Sequence, residues 1–565
     1  MSPSLRLVIV GGVAGGASAA ARARRLSEDA SIVLFERGPD VSFANCGLPY
    51  HLGGVIAERS RLLLQTPESL YARFEIDVRV NTEVLAIEPE ARVVVARNLK
   101  TGKETREPYD ALVLSPGAAA VRPGIPGAGG GRVFTLRNLV DMDAILAAVQ
   151  DGTQRALIVG AGYVGLELAE QLRHRGLPVT LVEKLPQVLA AADPEMAFPL
   201  QEELVRNGVD LRLGRSVTAF EESETLVAVL DDGARIPCGL AVLSVGVRPE
   251  TGLAAAAGLA LGVTGGILVD DRMRTSVPGI YAVGDAVEVR EFVSGDPALI
   301  ALAGPANRQG RIAAEVIFGR DSRYKATQGT AICKVFDLAF AMTGLGEAAL
   351  RRKGLACRRV YLYPADHAGY YPGASAISLK LLFEPGSGRI LGAQAVGKAG
   401  VDKRIDIIAV AQRAGLTVFD LEDLELCYAP PYGSAKDPVN IAGFVAANVL
   451  RGDVSLWEPE ELAGLGDGQL LVDVRTFQEY GRGTIPGAVC APVDELRDRL
   501  DDLPAHKELL VFCQAGLRGY VAARMLTQHG FKVRNLSGGY LRYAMWLGQQ
   551  AQAHQQQPRG ADHRP

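Results

Sequence analysis

A chain of 565 residues that is 48% hydrophobic and only 6% aromatic has ordinary globular composition, with ample core and room for three or four domains. Sixty lysines and arginines against sixty-four aspartates and glutamates give a formal charge of −4, a balance that argues against a nucleic acid or a membrane surface as the main partner. The first residues run directly into an apolar strand, with neither a charged leader nor a long apolar stretch. No signal peptide or membrane span is therefore expected, and the cytoplasm is the default location.

In chain order, a predicted strand from Leu7 to Val10 leads into the turn Gly11-Gly12-Val13-Ala14-Gly15-Gly16, an Ala/Arg helix, and a strand from Ile32 to Phe35 that ends in Glu36. This is a βαβ unit. Gly11, Gly15 and Gly16 let backbone N–H groups approach a pyrophosphate at the helix N-terminus, Glu36 can accept from ribose hydroxyls, and Val13 replaces the usual middle glycine. Ser42-Phe43-Ala44-Asn45-Cys46-Gly47-Leu48-Pro49-Tyr50 follows, placing Cys46 just past the ribose site. Strands are expected around Val78 to Val80 and Val93 to Ala96. Tyr109 to Gly117 is an apolar strand ending in a tight turn with Ser115 and Gly117, and the Pro/Gly-rich run from Val121 to Gly131 looks like a hinge.

A second βαβ unit is predicted from Ala156 to Glu183, with the full G-x-G-x-x-G at Gly160, Gly162, Tyr163 and Gly165. Glu183 closes its second strand and should accept from a free ribose 2′-hydroxyl and repel a 2′-phosphate. NADH is thereby favoured over NADPH, a preference softened by Lys184. The segment Thr275 to Ala286 is extended and ends in Gly284-Asp285 at an expected helix start. Seven cysteines, Cys46, Cys238, Cys333, Cys357, Cys427, Cys490 and Cys513, contain no C-x-x-C pair. They suit neither a disulfide framework nor a zinc site, no metal is expected, and most should be buried structural thiols.

Near the C-terminus the pattern restarts. A strand from Leu470 to Val474, the segment Gly483 to Ala488 and a strand from Leu509 to Phe512 precede Cys513-Gln514-Ala515-Gly516-Leu517-Arg518 and a helix. A cysteine between a strand and a helix N-terminus faces backbone N–H groups that stabilise a thiolate or persulfide. Residues from Gln549 to Pro565 read as a disordered Gln/His/Pro tail, in which His554 and His563 are too irregularly spaced to be metal ligands.

Two glycine-rich βαβ units, the Tyr109 to Gly117 strand and turn, and the Ile280 to Ala286 segment, in this order, resemble the flavoprotein disulfide reductase family over about residues 5 to 450. The resemblance implies FAD on the first unit, with Glu36 on the adenosine ribose and Asp285 on the ribityl chain, and NAD(P)H on the second. Members with a C-x4-C pair reduce glutathione or lipoamide, but here the position five residues after Cys46 is His51. The S-F-x-x-C motif resembles the branch containing coenzyme A-disulfide reductase and NADH-dependent persulfide reductase. In that branch one cysteine alternates between thiolate and a mixed disulfide or persulfide, and a helix end plus the flavin can lower its pKa.

The same resemblance implies a coenzyme A channel lined by Ser42, Phe43, Asn45 and Asn307, with Arg22, Arg25, Arg308 and Arg311 as phosphate partners. It also implies a dimerisation domain whose tyrosines reach the sulfur of the partner subunit, Tyr370 or Tyr371 and Tyr432 in preference to Tyr428. The last domain resembles a rhodanese sulfurtransferase with Cys513 as sulfur carrier. Thr484 stands where histidine is usual and Gln514 where arginine is common, which leaves Arg518 as the loop's cation and puts thiosulfate in doubt as donor.

The expected architecture is α/β: an FAD-binding domain over 1-120 and 247-323, an NAD(P)H-binding domain over 121-246, an α+β dimerisation domain over 324-452, a rhodanese domain over 453-548 and the tail over 549-565. The expected activity is NAD(P)H-dependent reduction of coenzyme A persulfide, polysulfide or disulfide by a homodimer. Two other readings remain at this point: an NADH oxidase or peroxidase cycling through a cysteine sulfenic acid, and a slow-turnover redox sensor or sulfur-relay protein.

Overall fold

The computed structural model describes residues 4–556. The chain divides into two units: one joins the residues up to Val182 with Gly208–Gly329, the other joins Glu183–Asn207 with the residues from Thr330 onward.

In the first unit, strands rich in Leu, Ile and Val are apolar on both faces, as a parallel sheet covered on both sides requires. Leu7, Ile9, Leu34, Leu112 and Val113 are fully buried. The sheet runs Ile280–Ala282, Ala111–Leu114, Arg6–Val10, Ser31–Phe35, Ile76–Arg79, all pairs parallel. Strand order reverses beside Arg6–Val10, so the first glycine turn emerges at the carboxyl edge where two connections diverge and leave a crevice. A second sheet repeats the design in the order Val209–Leu213, Val179–Glu183, Ala156–Val159, Leu240–Leu243, Val133–Thr135. Its reversal lies beside Ala156–Val159, at the second glycine turn.

One expectation changes here. Gly284-Asp285 does not start a helix: Gly284 takes φ +86 and the chain turns into the strand Val287–Arg290, whose alternating β-branched residues favour extension. Within the Pro/Gly run, Arg122 Nη1 donates to the carbonyls of Ala128 (2.9 Å) and Val133 (3.1 Å).

The second unit is built on an antiparallel sheet in the order Ala331–Val335, Leu338–Gly344, Ile390–Gly397, Ile377–Phe383, Arg358–Leu362. Helices Val401–Ala414 and Pro438–Leu450 contribute to its core. Lys380, on a central strand, is fully buried and holds the carboxylates of Asp193 (2.7 Å), Glu195 (2.5 Å) and Glu347 (2.9 Å). These three acids sit close enough to bind a metal ion, but the lysine ammonium fills their centre. Burial raises the Glu195 pKa, yet Lys380 and Arg542 outweigh it and hold the carboxyl at about 2.

The same unit carries a C-terminal parallel sheet in the order Leu456–Trp457, Lys532–Leu536, Glu508–Phe512, Gln469–Asp473, Val489–Cys490. Trp457 is fully buried and its indole N–H donates to Val511 O at 3.2 Å. The helix Gly539–Gln556 carries into the stretch expected as a tail, because its Ala and Gln residues propagate a helix already begun. Residues 557–565, with His563, lie outside the described residues. Among the described residues no helix is long and apolar enough to cross a membrane.

Candidate functional site

The two glycine turns are built alike. Gly11 at φ +93 and Gly160 at φ +101 need the left-handed region, and a Cβ at either would collide with a neighbouring carbonyl, that of Ser115 at 2.0 Å or of Ser244 at 2.4 Å. Val13 has φ −95, so a side chain is tolerated where glycine is usual. The helices that follow, Ala14–Arg24 and Tyr163–His174, begin without a side-chain cap, after Val13 and Gly162. Such helix starts fit the pyrophosphate of a dinucleotide. Glu36 lies on the first turn, accepting from Gly12 N (2.9 Å) and Gly38 N (2.8 Å), and burial pushes its carboxyl up. Glu183 ends its strand and accepts from Leu185 N at 2.8 Å.

Around the first turn the structure gathers the distant motif residues. Ser115 N donates to Val10 O (2.8 Å), the Ser115 hydroxyl lies 3.6 Å from where a Gly284 Cβ would stand, and Gly117 takes φ +73. Asp285 pairs with Arg137 at 2.7 Å, and buried Gln309 accepts from Gly284 N at 2.7 Å. Arg137 and Gln309 were not singled out from the sequence. A lone arginine after a short strand and a glutamine within a helix carry no signal of their own.

Cys46 sits in the 3-10 turn Asn45–Gly47, which feeds the short helix Leu48–Gly53. The turn is anchored to the first glycine loop by Ser42 N, which donates to Gly12 O at 2.8 Å, and Phe43 bridges to Leu63. Cys46 is exposed and free. The helix end does not lower its pKa as expected. Desolvation around the sulfur and the carboxylate of Glu167 push the thiol up, Asp285 adds to this, and Arg137 opposes them. The protein alone therefore favours the thiol.

The basic residues proposed for coenzyme A come together on two packed helices, Ala14–Arg24 and Ala303–Ile317. A Cβ on Gly310 would meet Gly15 O at 2.1 Å, and the Ser18 hydroxyl donates to Asn307 Oδ1 at 2.9 Å. The four cations are not equivalent. Arg22 (2.5 Å) and Arg311 (3.2 Å) share the carboxylate of Glu315, whereas Arg25, the helix C-cap, and Arg308 are exposed.

In the second unit the two tyrosine loops meet. Tyr370 Oη lies 2.8 Å from Tyr428 Oη, the tyrosine ranked below Tyr432. Tyr371 meets the His367 ring edge-on at 5.8 Å, and Tyr432 is 72% exposed. The phenolic groups of Tyr370 and Tyr428 thus form one solvent-facing pair.

Cys513 ends the strand Glu508–Phe512 and precedes the helix Leu517–Gln528. It is buried, and its sulfur accepts from Gly516 N at 3.1 Å. Arg518 makes two 2.7 Å hydrogen bonds to Glu479, so the expected loop cation is already neutralised. Gln514 accepts from Arg475 Nη1 (3.1 Å), and Thr484 donates to buried Asp473 (2.7 Å), which also holds Arg475. The Arg475 guanidinium lies 4.2 Å from the centre of the Tyr540 ring. Glu479 and Tyr540 were missed from sequence, since each is identified only by its partner. Of the seven cysteines only Cys238, Cys333 and Cys513 are buried, fewer than expected.

Residues 5–310 match the pyridine nucleotide-disulphide oxidoreductase family, residues 330–437 its dimerisation domain, and residues 458–545 the rhodanese-like domain. The chain belongs to the pyridine nucleotide-disulphide oxidoreductase family and carries a C-terminal rhodanese-like domain. It is therefore a flavin- and pyridine nucleotide-dependent oxidoreductase. It is 38% identical over 443 residues to the coenzyme A disulfide reductase of Staphylococcus aureus, covering 78% of this chain and 99% of the relative. Among solved structures, reduced Bacillus anthracis CoADR-RHD superposes with a TM-score of 0.95 at 48% identity, covering 97% of this chain and 99% of that one. A NAD-dependent persulfide reductase from A. fulgidus gives 0.89 at 36% identity, covering 95% and 100%.

Proposed function

We propose that the chain works as a homodimer that uses NADH to reduce coenzyme A persulfide, related polysulfides and coenzyme A disulfide at Cys46, while Cys513 carries sulfane sulfur on the same polypeptide. The observation that carries the reading is the presence of two free thiols in unlike settings: Cys46 exposed, with no cysteine five residues on, and Cys513 enclosed by a strand-to-helix loop. A single exposed thiol suits capture of an external sulfur rather than an internal disulfide.

Gly11, Gly15, Gly16, Glu36, Ser115, Gly117 and Asp285 would hold FAD at the first glycine turn, where it would supply the two electrons that a nicotinamide delivers as hydride. NADH is held by Gly160, Gly162, Tyr163 and Gly165, with Glu183 favouring the unphosphorylated ribose. Cys46 captures the substrate sulfur, and Asn45, Phe43 and Ser42 line its approach. Arg25 and Arg308, exposed, receive the phosphates, joined by Arg22 and Arg311 when Glu315 is displaced. Tyr370 with Tyr428, from the partner subunit, steadies the departing sulfur by a hydrogen bond and keeps its own proton, Tyr371 and Tyr432 flanking it.

At the other thiol, an attacking Cys513 thiolate takes the outer sulfur of a donor and becomes a persulfide, releasing the donor as its thiolate. Neutralisation of Arg518 by Glu479 leaves little for an inorganic dianion and favours sulfur borne on a thiol. The test is steady-state NADH oxidation with coenzyme A persulfide and coenzyme A disulfide side by side. The reading expects the persulfide to be the faster substrate and Cys46→Ser to lose both. Equal rates that Cys513→Ser leaves untouched with every donor would reduce the rhodanese-like domain to an unrelated activity.

A further inference from the structure

One titratable group beside Cys46 has no role in the chemistry above. Glu167 lies on the helix Tyr163–His174 and accepts from the Tyr50 hydroxyl at 3.2 Å. Tyr50 is four residues beyond Cys46, on the short helix that the thiol turn feeds. That helix is packed along one face of the longer one at three successive turns: Tyr50 on Glu167, Gly53 against Gln171, and Leu52 O accepting from Arg175 Nε. Residues 167, 171 and 175 recur every fourth position, so they form one stripe.

We propose that Glu167, acting through the Tyr50 hydroxyl, is the proton-holding residue of the Cys46 site. This rests on the reading that Cys46 carries the redox sulfur. Two-electron reduction of a Cys46–S–S–R bond breaks it into two thiolates, and release of one as R–SH needs a proton. The Glu167 carboxyl gives its proton to Tyr50 as the Tyr50 hydroxyl gives its own to the departing sulfur, leaving Cys46–S⁻, R–SH and a Glu167 carboxylate. Solvent then reprotonates Glu167, and the sum is Cys46–S–S–R + 2e⁻ + H⁺ → Cys46–S⁻ + R–SH.

The surroundings make Glu167 suited to this. Burial raises its pKa and nearby Glu170 adds to that, while the Tyr50 bond pulls it down, leaving it at about 7. Its charge acts on the Cys46 sulfur, which also feels Arg137 and Asp285. His51, the remaining titratable side chain of the short helix, is engaged with Ile56 O through Nδ1 at 2.7 Å. Negative charge arriving on Cys46 therefore draws a proton to Glu167, and ionised Glu167 holds Cys46 as thiol. Together the two groups resist carrying two charges.

The experiment uses the FAD-loaded enzyme and the variants Glu167→Gln, which still accepts from Tyr50, Tyr50→Phe and Cys46→Ser. It records kcat/KM for coenzyme A disulfide with NADH from pH 5.5 to 9.5, and the alkylation rate of Cys46 by iodoacetamide after reduction. The wild type should lose activity above about pH 7 as Glu167 ionises. Glu167→Gln should be about 10- to 100-fold slower at pH 6.5, lack that limb, and alkylate severalfold faster at pH 7 because a nearby negative charge is gone. Tyr50→Phe, which removes the hydroxyl between Glu167 and the sulfur, should be slowed at pH 6.5 as Glu167→Gln is and lose the limb likewise. A Glu167→Gln enzyme that keeps the wild-type limb and alkylation profile overturns the proposal, as does a retained limb in Tyr50→Phe should Glu167→Gln not fold. If Cys46→Ser stays active, the reading of the site itself fails, a result separable from failure at Glu167.

Discussion

Cys46 and Cys513 are both free thiols at the entrance to a helix, yet the chain treats them oppositely. Cys513 is enclosed, with Gly516 N–H aimed at its sulfur and Arg518 held nearby by Glu479. Cys46 is exposed, faces the carboxylates of Glu167 and Asp285, and has its pKa pushed up. On the proposed roles, backbone dipoles preorganise a negative sulfur at Cys513, while at Cys46 the negative sulfur is the product of electron delivery. A sulfur carrier must hold a persulfide between encounters. A reductase needs its thiolate once per turnover and benefits when protons follow the electrons.

The most severe way to break this contrast is to remove each sulfur. Cys46→Ser should abolish NADH-dependent reduction of coenzyme A persulfide and disulfide, a loss of about 10³-fold or more. Cys513→Ser should leave disulfide reduction within about twofold while eliminating sulfur transfer from a thiol-borne donor, read as persulfide formed on an added thiol. A milder probe is Gly516→Ala. Gly516 sits at φ +105 with no atom closer than 4.0 Å to an added Cβ, so the substitution strains the backbone without a clash. It should cost ~1 kcal/mol or more and turn the N–H away from Cys513, slowing sulfur transfer about tenfold and leaving NADH oxidation alone.

Smaller again is Glu479→Gln, which frees Arg518. Turnover with thiosulfate should rise severalfold, measured against unchanged turnover with a thiol-borne donor, because the loop gains a cation.

The buried Lys380 cluster of the second unit gives its stability a pH dependence. Glu195 has its pKa depressed to about 2 by buried Lys380, so its contribution to stability is full above the ordinary carboxylate range and is lost as pH falls through about 2. Lys380→Met should destabilise the second unit by about 3 to 5 kcal/mol at neutral pH by leaving buried carboxylates uncompensated, and thermal melts should show it.

Much of this was legible in the chain itself. Both βαβ units stood out because strands buried on both faces are written as continuous apolar runs, and because a turn pressed against a neighbouring carbonyl, as Gly11 is against Ser115, admits only glycine. Cys46 and Cys513 were legible through their flanking motifs. What stayed hidden were partners brought together only by folding. Tyr50 and Glu167 are separated by 117 residues, Arg137 and Asp285 by 148. Neither pair leaves a periodic trace. The same holds for Glu315, which only folding brings to Arg22 and leaves shared between Arg22 and Arg311. The turn at Gly284-Asp285 was misjudged because an aspartate after glycine suits an N-cap and a turn equally, and only the β-branched residues that follow decide between them.

On the proposed reading the two thiols do different work on one chain. Mass spectrometry of quenched peptides from reduced, FAD-loaded enzyme treated with coenzyme A persulfide, before and after NADH, tests it most directly. A coenzyme A mixed disulfide or persulfide should form on Cys46 and be removed by NADH in the wild type, and a persulfide on Cys513 should survive NADH in Cys46→Ser. An unmodified Cys46, or a Cys513 adduct cleared by NADH as fast in Cys46→Ser as in the wild type, would contradict that reading.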